Sequence, residues 1–141
     1  MVDVVLVDTG PLVALFDPSD ASRASCKKAL DGLRGVELIT TEAVITEASY
    51  LLDFSVGAQA ALMRFLASGR PRIEAVTSGD RDRLSELLLK YRDLPMDYAD
   101  ATLVRLAERF GTTRVFTLDR RDFGIYRQGR RRFEILPSID G

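Results

Sequence analysis

Short continuous apolar runs alternate along this chain with longer stretches whose apolar residues recur every three or four positions. Val4 to Val7 is the first run: β-branched, unbroken and brief, as expected of a strand buried on both faces. Thr9-Gly10-Pro11 breaks it and opens a helix through Leu12, Leu15 and Phe16, with proline near the helix start. Asp17-Pro18-Ser19 is a turn. Ser19 or Asp20 then caps a helix to about Leu33, with Ala24, Ala29, Leu30 and Leu33 on its apolar side, and Gly35 closes it. Val36 to Ile39 is a second strand. Thr40 or Thr41 caps a helix to about Phe54, and Gly57 begins another that ends at Ser68-Gly69.

Ile73 to Val76 is a third strand, and Asp80 starts a charged amphipathic helix with Leu84, Leu87 and Leu88 inward. Pro95 precedes a helix from about Asp97 to Phe110, closed by Gly111. Arg114 to Leu118 is a fourth strand, Asp122 to Arg127 a short turn of helix, and Phe133 to Leu136 a last strand. Strands alternating with helices predict βαβ units, hence an α/β fold with a parallel sheet covered on both faces. At 141 residues, one domain spanning 1–141 is the expectation. Ligands of such sheets bind outside the carboxyl ends of the strands, where Asp8 and Asp119 stand.

Four acids interrupt this pattern. Asp8 ends the run VDVVLVD and Asp119 follows RVFTL. Glu47 lies among Ala43, Val44, Tyr50, Leu51 and Phe54, a face expected to pack inward. Asp100 shares a face with Met96, Leu103, Val104 and Ala107, opposite a solvated-looking face of Thr102, Arg105, Glu108 and Arg109. Each has an ordinary explanation alone: Asp8 as a helix cap, Glu47 snorkelling, Asp100 on a helix dipole, Asp119 in a polar turn. Asp97 is best explained as a cap. Asp122 is either a further acid of a pocket or the cap for Phe123 to Arg127. Together they are harder to explain, because like charges 4 Å apart repel by roughly 4 kcal/mol at an effective dielectric of 20. Carboxylates gathered in one place protonate or splay apart unless cations hold them.

Composition narrows the chemistry. There is no histidine and one cysteine, Cys26, which excludes an intrachain disulfide, the usual zinc sites and the histidine-dependent nucleophiles. An all-oxygen site suits Mg²⁺ or Mn²⁺. The net charge of -1 excludes a uniformly basic nucleic-acid binder, yet 17 of the 20 cations are arginine, the side chain that holds phosphate bidentately. Arg120 and Arg121 flank the proposed site, and Arg127, Arg130, Arg131 and Arg132 form a basic run suited to an RNA backbone or an acidic partner. No basic leader precedes a long apolar segment, so a soluble cytoplasmic protein, not held in a membrane, is expected.

The segments VDTGPLVAL, TEAVITEASYLL, DYADATLVRLAER and RVFTLDRRDF, taken in this order and spacing, resemble the PIN-domain nucleases, and most closely the VapC-like toxins of toxin–antitoxin pairs. The resemblance spans nearly the whole chain. It implies a three-layer α/β/α sandwich with a central parallel sheet of four or five strands, and Mg²⁺- or Mn²⁺-dependent endoribonuclease activity. Asp8, Glu47, Asp100 and Asp119 match the family's acidic quartet, with Asp8, Asp100 and Asp119 holding metal and Glu47 acting through water. Thr9 and Thr117 match its hydroxyl positions, and Asp122 matches an acid that varies among relatives. A homodimer neutralised by a small antitoxin protein is further implied, with the apolar helices around Tyr50 to Leu66 as a contact surface.

Other readings fit less well. A haloacid-dehalogenase-type phosphatase needs a second aspartate where Gly10 stands, and a receiver domain needs a lysine where Thr117 to Asp119 has none. No P-loop or dinucleotide fingerprint is present. A PIN-domain nuclease for housekeeping RNA processing, or a non-catalytic RNA- or protein-binding module of the same fold, are the alternatives.

Overall fold

The computed structural model describes residues 3–138. Five parallel strands form one sheet: β1 (Val4–Val7), β2 (Glu37–Thr40), β3 (Arg72–Ile73), β4 (Arg114–Phe116) and, after a small hairpin, β7 (Glu134–Leu136), in the order β3-β2-β1-β4-β7. The hairpin pairs β5 (Arg127–Gln128) with β6 (Arg131–Arg132), antiparallel. Helices α1 (Thr9–Phe16), α2 (Arg23–Asp31), α3 (Glu42–Leu51), α4 (Val56–Ala67), α5 (Arg81–Lys90), α6 (Tyr98–Phe110) and α7 (Arg120–Phe123) complete the α/β/α sandwich. All four residues of β1 are buried, as its unbroken apolar run requires.

From β1 the chain winds outward through β2 and β3, then returns to place β4 against the other side of β1. The winding therefore reverses between β1 and β4. At such a switch point the two crossovers leave the sheet in opposite directions and open a crevice beyond the strand ends. Asp8 follows β1, and Asp119 lies just beyond β4.

Several expected boundaries shift for identifiable reasons. The third strand is Arg72–Ile73 rather than Ile73 to Val76, although the ladder extends one bond further through Glu74 N–H to the Thr40 carbonyl (2.9 Å). Helix α2 starts at Arg23, because Asp20 is used in a turn that accepts from Ser22 N–H (2.8 Å). The short helix is Arg120–Phe123, not Asp122 to Arg127, and Asp119 rather than Asp122 is its cap. The expected solvated face of α6 instead packs against α5. Arg105 and Arg109 bond buried Asp80 (2.8 and 3.4 Å), and Arg83 holds Glu108 (2.7 Å). Gly111 closes α6 in the left-handed conformation, φ 66°.

Candidate active site

The acids meet in a cleft of about 390 Å³ at the switch point, lined by Asp8, Glu47, Asp97, Asp100, Asp119 and Asp122, with Asp20 at its margin. Among the described residues no lysine or arginine lines it. Carboxylate oxygens of Asp100, Asp119 and Asp122 come within 4.8 Å of one another, a spacing that one cation can bridge. Asp122 thus stands with Asp100 and Asp119 in one cluster, and its cap reading is replaced by that place.

Asp8 stands at the N-terminus of α1 but makes no capping bond. Its carboxylate instead accepts from the Thr117 hydroxyl (2.7 Å), which itself accepts from Asp119 N–H (3.0 Å). One buried hydroxyl therefore fixes the exits of both β1 and β4. Thr9, on the next residue, donates to Glu47 Oε2 (3.3 Å). Gly10 lets this turn approach β4: a Cβ there would lie 3.1 Å from Leu118 Cβ.

Glu47 is not centred in an inward face. The core side of α3 is Val44, Ile45 and Ala48, while Tyr50, Leu51 and Phe54 are exposed. Glu47 sits between these sides, half-buried, at the edge of the cleft. Thr41, not Thr40, caps α3, accepting from Val44 N–H (3.4 Å). Asp97 caps α6 as expected, accepting from Asp100 N–H (2.7 Å), and adds a carboxylate to the rim.

Tyr126 was not singled out by the periodicity. Its fully buried hydroxyl donates to Asp100 Oδ2 (2.8 Å), and edge contacts to Tyr91 and Phe123 fix its ring. The available signal was the aromatic run Phe123, Tyr126, Phe133 directly after an acidic motif.

Electrostatics record the crowding. Burial, then Asp8 and Asp97, push the Asp100 carboxyl up to about 8 against the opposing Tyr126 bond. A rise from 3.8 to about 8 is worth roughly 6 kcal/mol. It exceeds the 0.3–2 kcal/mol that a helix N-terminus typically returns. Burial raises Asp8 to about 6, opposed by Thr117 and the Thr9 backbone. Burial also raises Glu47 and Asp122, with Asp97 next for the former and Asp119 for the latter.

The arginines divide. Arg120 and Arg121 belong to α7 beside the cleft, Arg120 bonding the Pro137 carbonyl. Arg127 is turned onto the carbonyls of Gly124, Ile125 and Tyr126 (2.8, 2.9 and 2.9 Å). Arg131 reaches the Gly111 carbonyl (3.4 Å), at the opposite end of α6 from Asp100 and roughly 17 Å away at 1.5 Å per residue. Arg130 and Arg132 are exposed on the same hairpin.

A PIN-domain family model matches residues 5–128. This chain belongs to the PIN-domain family. Within it, the PIN domain is 32% identical over 136 residues to Ribonuclease VapC26 of Mycobacterium tuberculosis (strain ATCC 25618 / H37Rv), covering 94% of this chain and all of that protein. Its fold matches the crystal structure of Mycobacterium tuberculosis VapC20, a sarcin-ricin loop cleaving toxin, with a TM-score of 0.76. The identity there is 21%, over 88% of this chain and 97% of that one. The PIN domain is therefore a VapC-type ribonuclease homologue, with an acidic cluster at the sheet's switch point. Among the described residues no helix is long and apolar enough to cross a membrane.

Proposed function

We propose that the cleft is the centre of a metal-dependent endoribonuclease that hydrolyses RNA phosphodiester bonds, acting as the toxin of a toxin–antitoxin pair. One observation carries this reading: Asp100, Asp119 and Asp122 converge within 4.8 Å in a cleft lined by further acids and, among the described residues, by no lysine or arginine. The donors are all oxygen, which fits Mg²⁺ or Mn²⁺. Asp8, Asp100 and Asp119 would hold the ion or ions, with Asp122 beside them. When bound, such an ion supplies Lewis acidity toward the phosphate and toward water.

The chain's own groups do the positioning. Thr117 and Tyr126 each hold one oxygen of Asp8 and Asp100, fixing how the two carboxylates face the cleft. Thr9 holds Glu47 Oε2, leaving Oε1 to accept a hydrogen bond from the attacking water and orient it toward phosphorus. Attack forms the new P–O bond as the bond to the departing ribose oxygen breaks; the water's proton passes to solvent, and the departing oxygen takes one up from solvent. Arg121, exposed on α7 next to Asp122, is placed to meet an adjacent phosphate; Arg127 is turned onto backbone carbonyls, and Arg131 lies at the far end of α6.

The relative's name supports RNA as substrate, and the motifs shared with toxins of toxin–antitoxin pairs support a cognate antitoxin as partner. Exposed Phe54, Val56 and Met63 of the α3–α4 corner support a contact between two copies or with the antitoxin. The test has two parts. Asp100→Asn is expected to keep its fold and lose at least about 100-fold in Mn²⁺-dependent RNA cleavage. RNA ends sequenced after brief expression are expected to show new cuts with wild type and not with Asp8→Asn. Equal cleavage by purified Asp100→Asn and wild type would reject the proposal.

A further inference from the structure

A groove leaves the acidic cleft beside Glu47 and Asp97 and passes between α3 and the start of α6. Its first part, about 620 Å³, is lined by Ala43, Thr46, Tyr50 and Tyr98. Beyond Thr46 and Tyr98 it continues to Arg81, whose Nη1 lies 2.5 Å from the Tyr98 hydroxyl. Tyr50 is 72% exposed and Tyr98 46%, so two rings face solvent next to the cluster. Neither ring is used by the core.

Exposed aromatic rings continuous with a phosphate-cutting centre, followed by a guanidinium, form the surface that holds single-stranded nucleic acid. Bases of any sequence stack on the rings, and the cation takes a phosphate. Among the described residues Arg81 forms no ion pair, and its hydroxyl partner is neutral. Of the acids at that end, Glu74 is paired with Arg72 and Arg109, and Glu42 is exposed, where water and salt screen it. The apolar corner of Phe54, Val56 and Met63 is separate from this lining.

Building on the ribonuclease reading, we propose that this groove binds the single-stranded RNA segment adjoining the scissile phosphate, with bases stacked on Tyr98 and Tyr50 and a backbone phosphate on Arg81.

The experiment uses an RNA oligonucleotide spanning a cut mapped with the wild-type protein. Wild type, Tyr98→Ala, Tyr98→Phe and Arg81→Gln are compared for KM, kcat, sedimentation mass and the rise in Tm on adding Mn²⁺. Tyr98→Ala and Arg81→Gln are expected to raise KM roughly ten-fold, the effect of losing one stacked base or one phosphate contact. Their kcat should stay within about two-fold and their Mn²⁺ response at the wild-type value, because the acids are untouched. Tyr98→Phe keeps the ring and should stay near wild-type KM. An unchanged KM in both variants overturns the inference. So does a lost Mn²⁺ response, which would mean the residues act through the acidic centre. A change in mass would assign the groove to contact between copies and overturn it too. A wild type that cuts no RNA overturns the ribonuclease reading itself, and this one with it.

Discussion

Asp80 and Asp100 are both buried, at 2% and 8% exposure, yet they titrate in opposite directions. Asp80 accepts from Thr77 N–H (2.9 Å) and from Arg105 and Arg109, and the Thr77 backbone bond and these partners hold it down to about 2. Burial first, and then the Asp8 and Asp97 carboxylates, push Asp100 up to about 8. The first is structural and the second is strained in the absence of a ligand. The sign of the pH dependence follows. With folded values raised, Asp8 and Asp100 contribute stability that is full below about 4 and is lost as pH climbs through about 6 and about 8. Metal-free protein is therefore expected to melt at least about 5 °C lower at pH 8 than at pH 5. Mg²⁺ or Mn²⁺ should narrow that gap. Melting curves in chelator and in metal check this, and equal Tm values at both pH values in chelator would refute it. Asp80 behaves inversely, its contribution being lost as pH falls from about 4 toward about 2. Asp80→Ala removes a buried partner of two part-exposed arginines and should cost about 3 kcal/mol in urea unfolding, while leaving the acids of the cleft in place. Tyr126→Phe preserves the aromatic packing but frees Asp100 Oδ2. Cleavage should fall roughly ten-fold, with more Mn²⁺ needed for half-maximal rate. An unchanged Mn²⁺ requirement would leave Tyr126 a packing residue only.

At the scale of elements, the chain's local signals explain what was legible. β1 is fully buried, so its apolar run is continuous and its end is unambiguous; Asp8 follows directly. Helix α6 announces both its ends, through Asp97 and Gly111. β3 is two residues long at the sheet edge, and exposed edge residues carry no burial pattern to read. Helix α3 misled because Tyr50, Leu51 and Phe54 look like core and lie at its surface. Periodicity reports that an apolar face has a use, not that the use is internal. The second face of α6 failed for the converse reason: its charges pair with α5, and charge alone does not distinguish a solvated side chain from a buried ion pair. Asp8, Glu47, Asp100 and Asp119 all line one cleft. What the sequence could not show is which acids approach most closely, since Asp122 joins Asp100 and Asp119 only through the turn that Asp119 caps.

Across the whole molecule, the switch of winding between β1 and β4 is what assembles the cleft. Its central bond, Thr117 to Asp8, joins residues 109 apart in sequence. Contacts of such separation form late, because a long loop must close before they return anything. During synthesis Asp8 and Glu47 emerge well before Asp100 and Asp119, so the early acids wait on the late ones. On the ribonuclease reading, the acids are gathered into a cutting centre only once β4 is laid beside β1 and the turn that Asp119 caps has brought Asp122 round to Asp100.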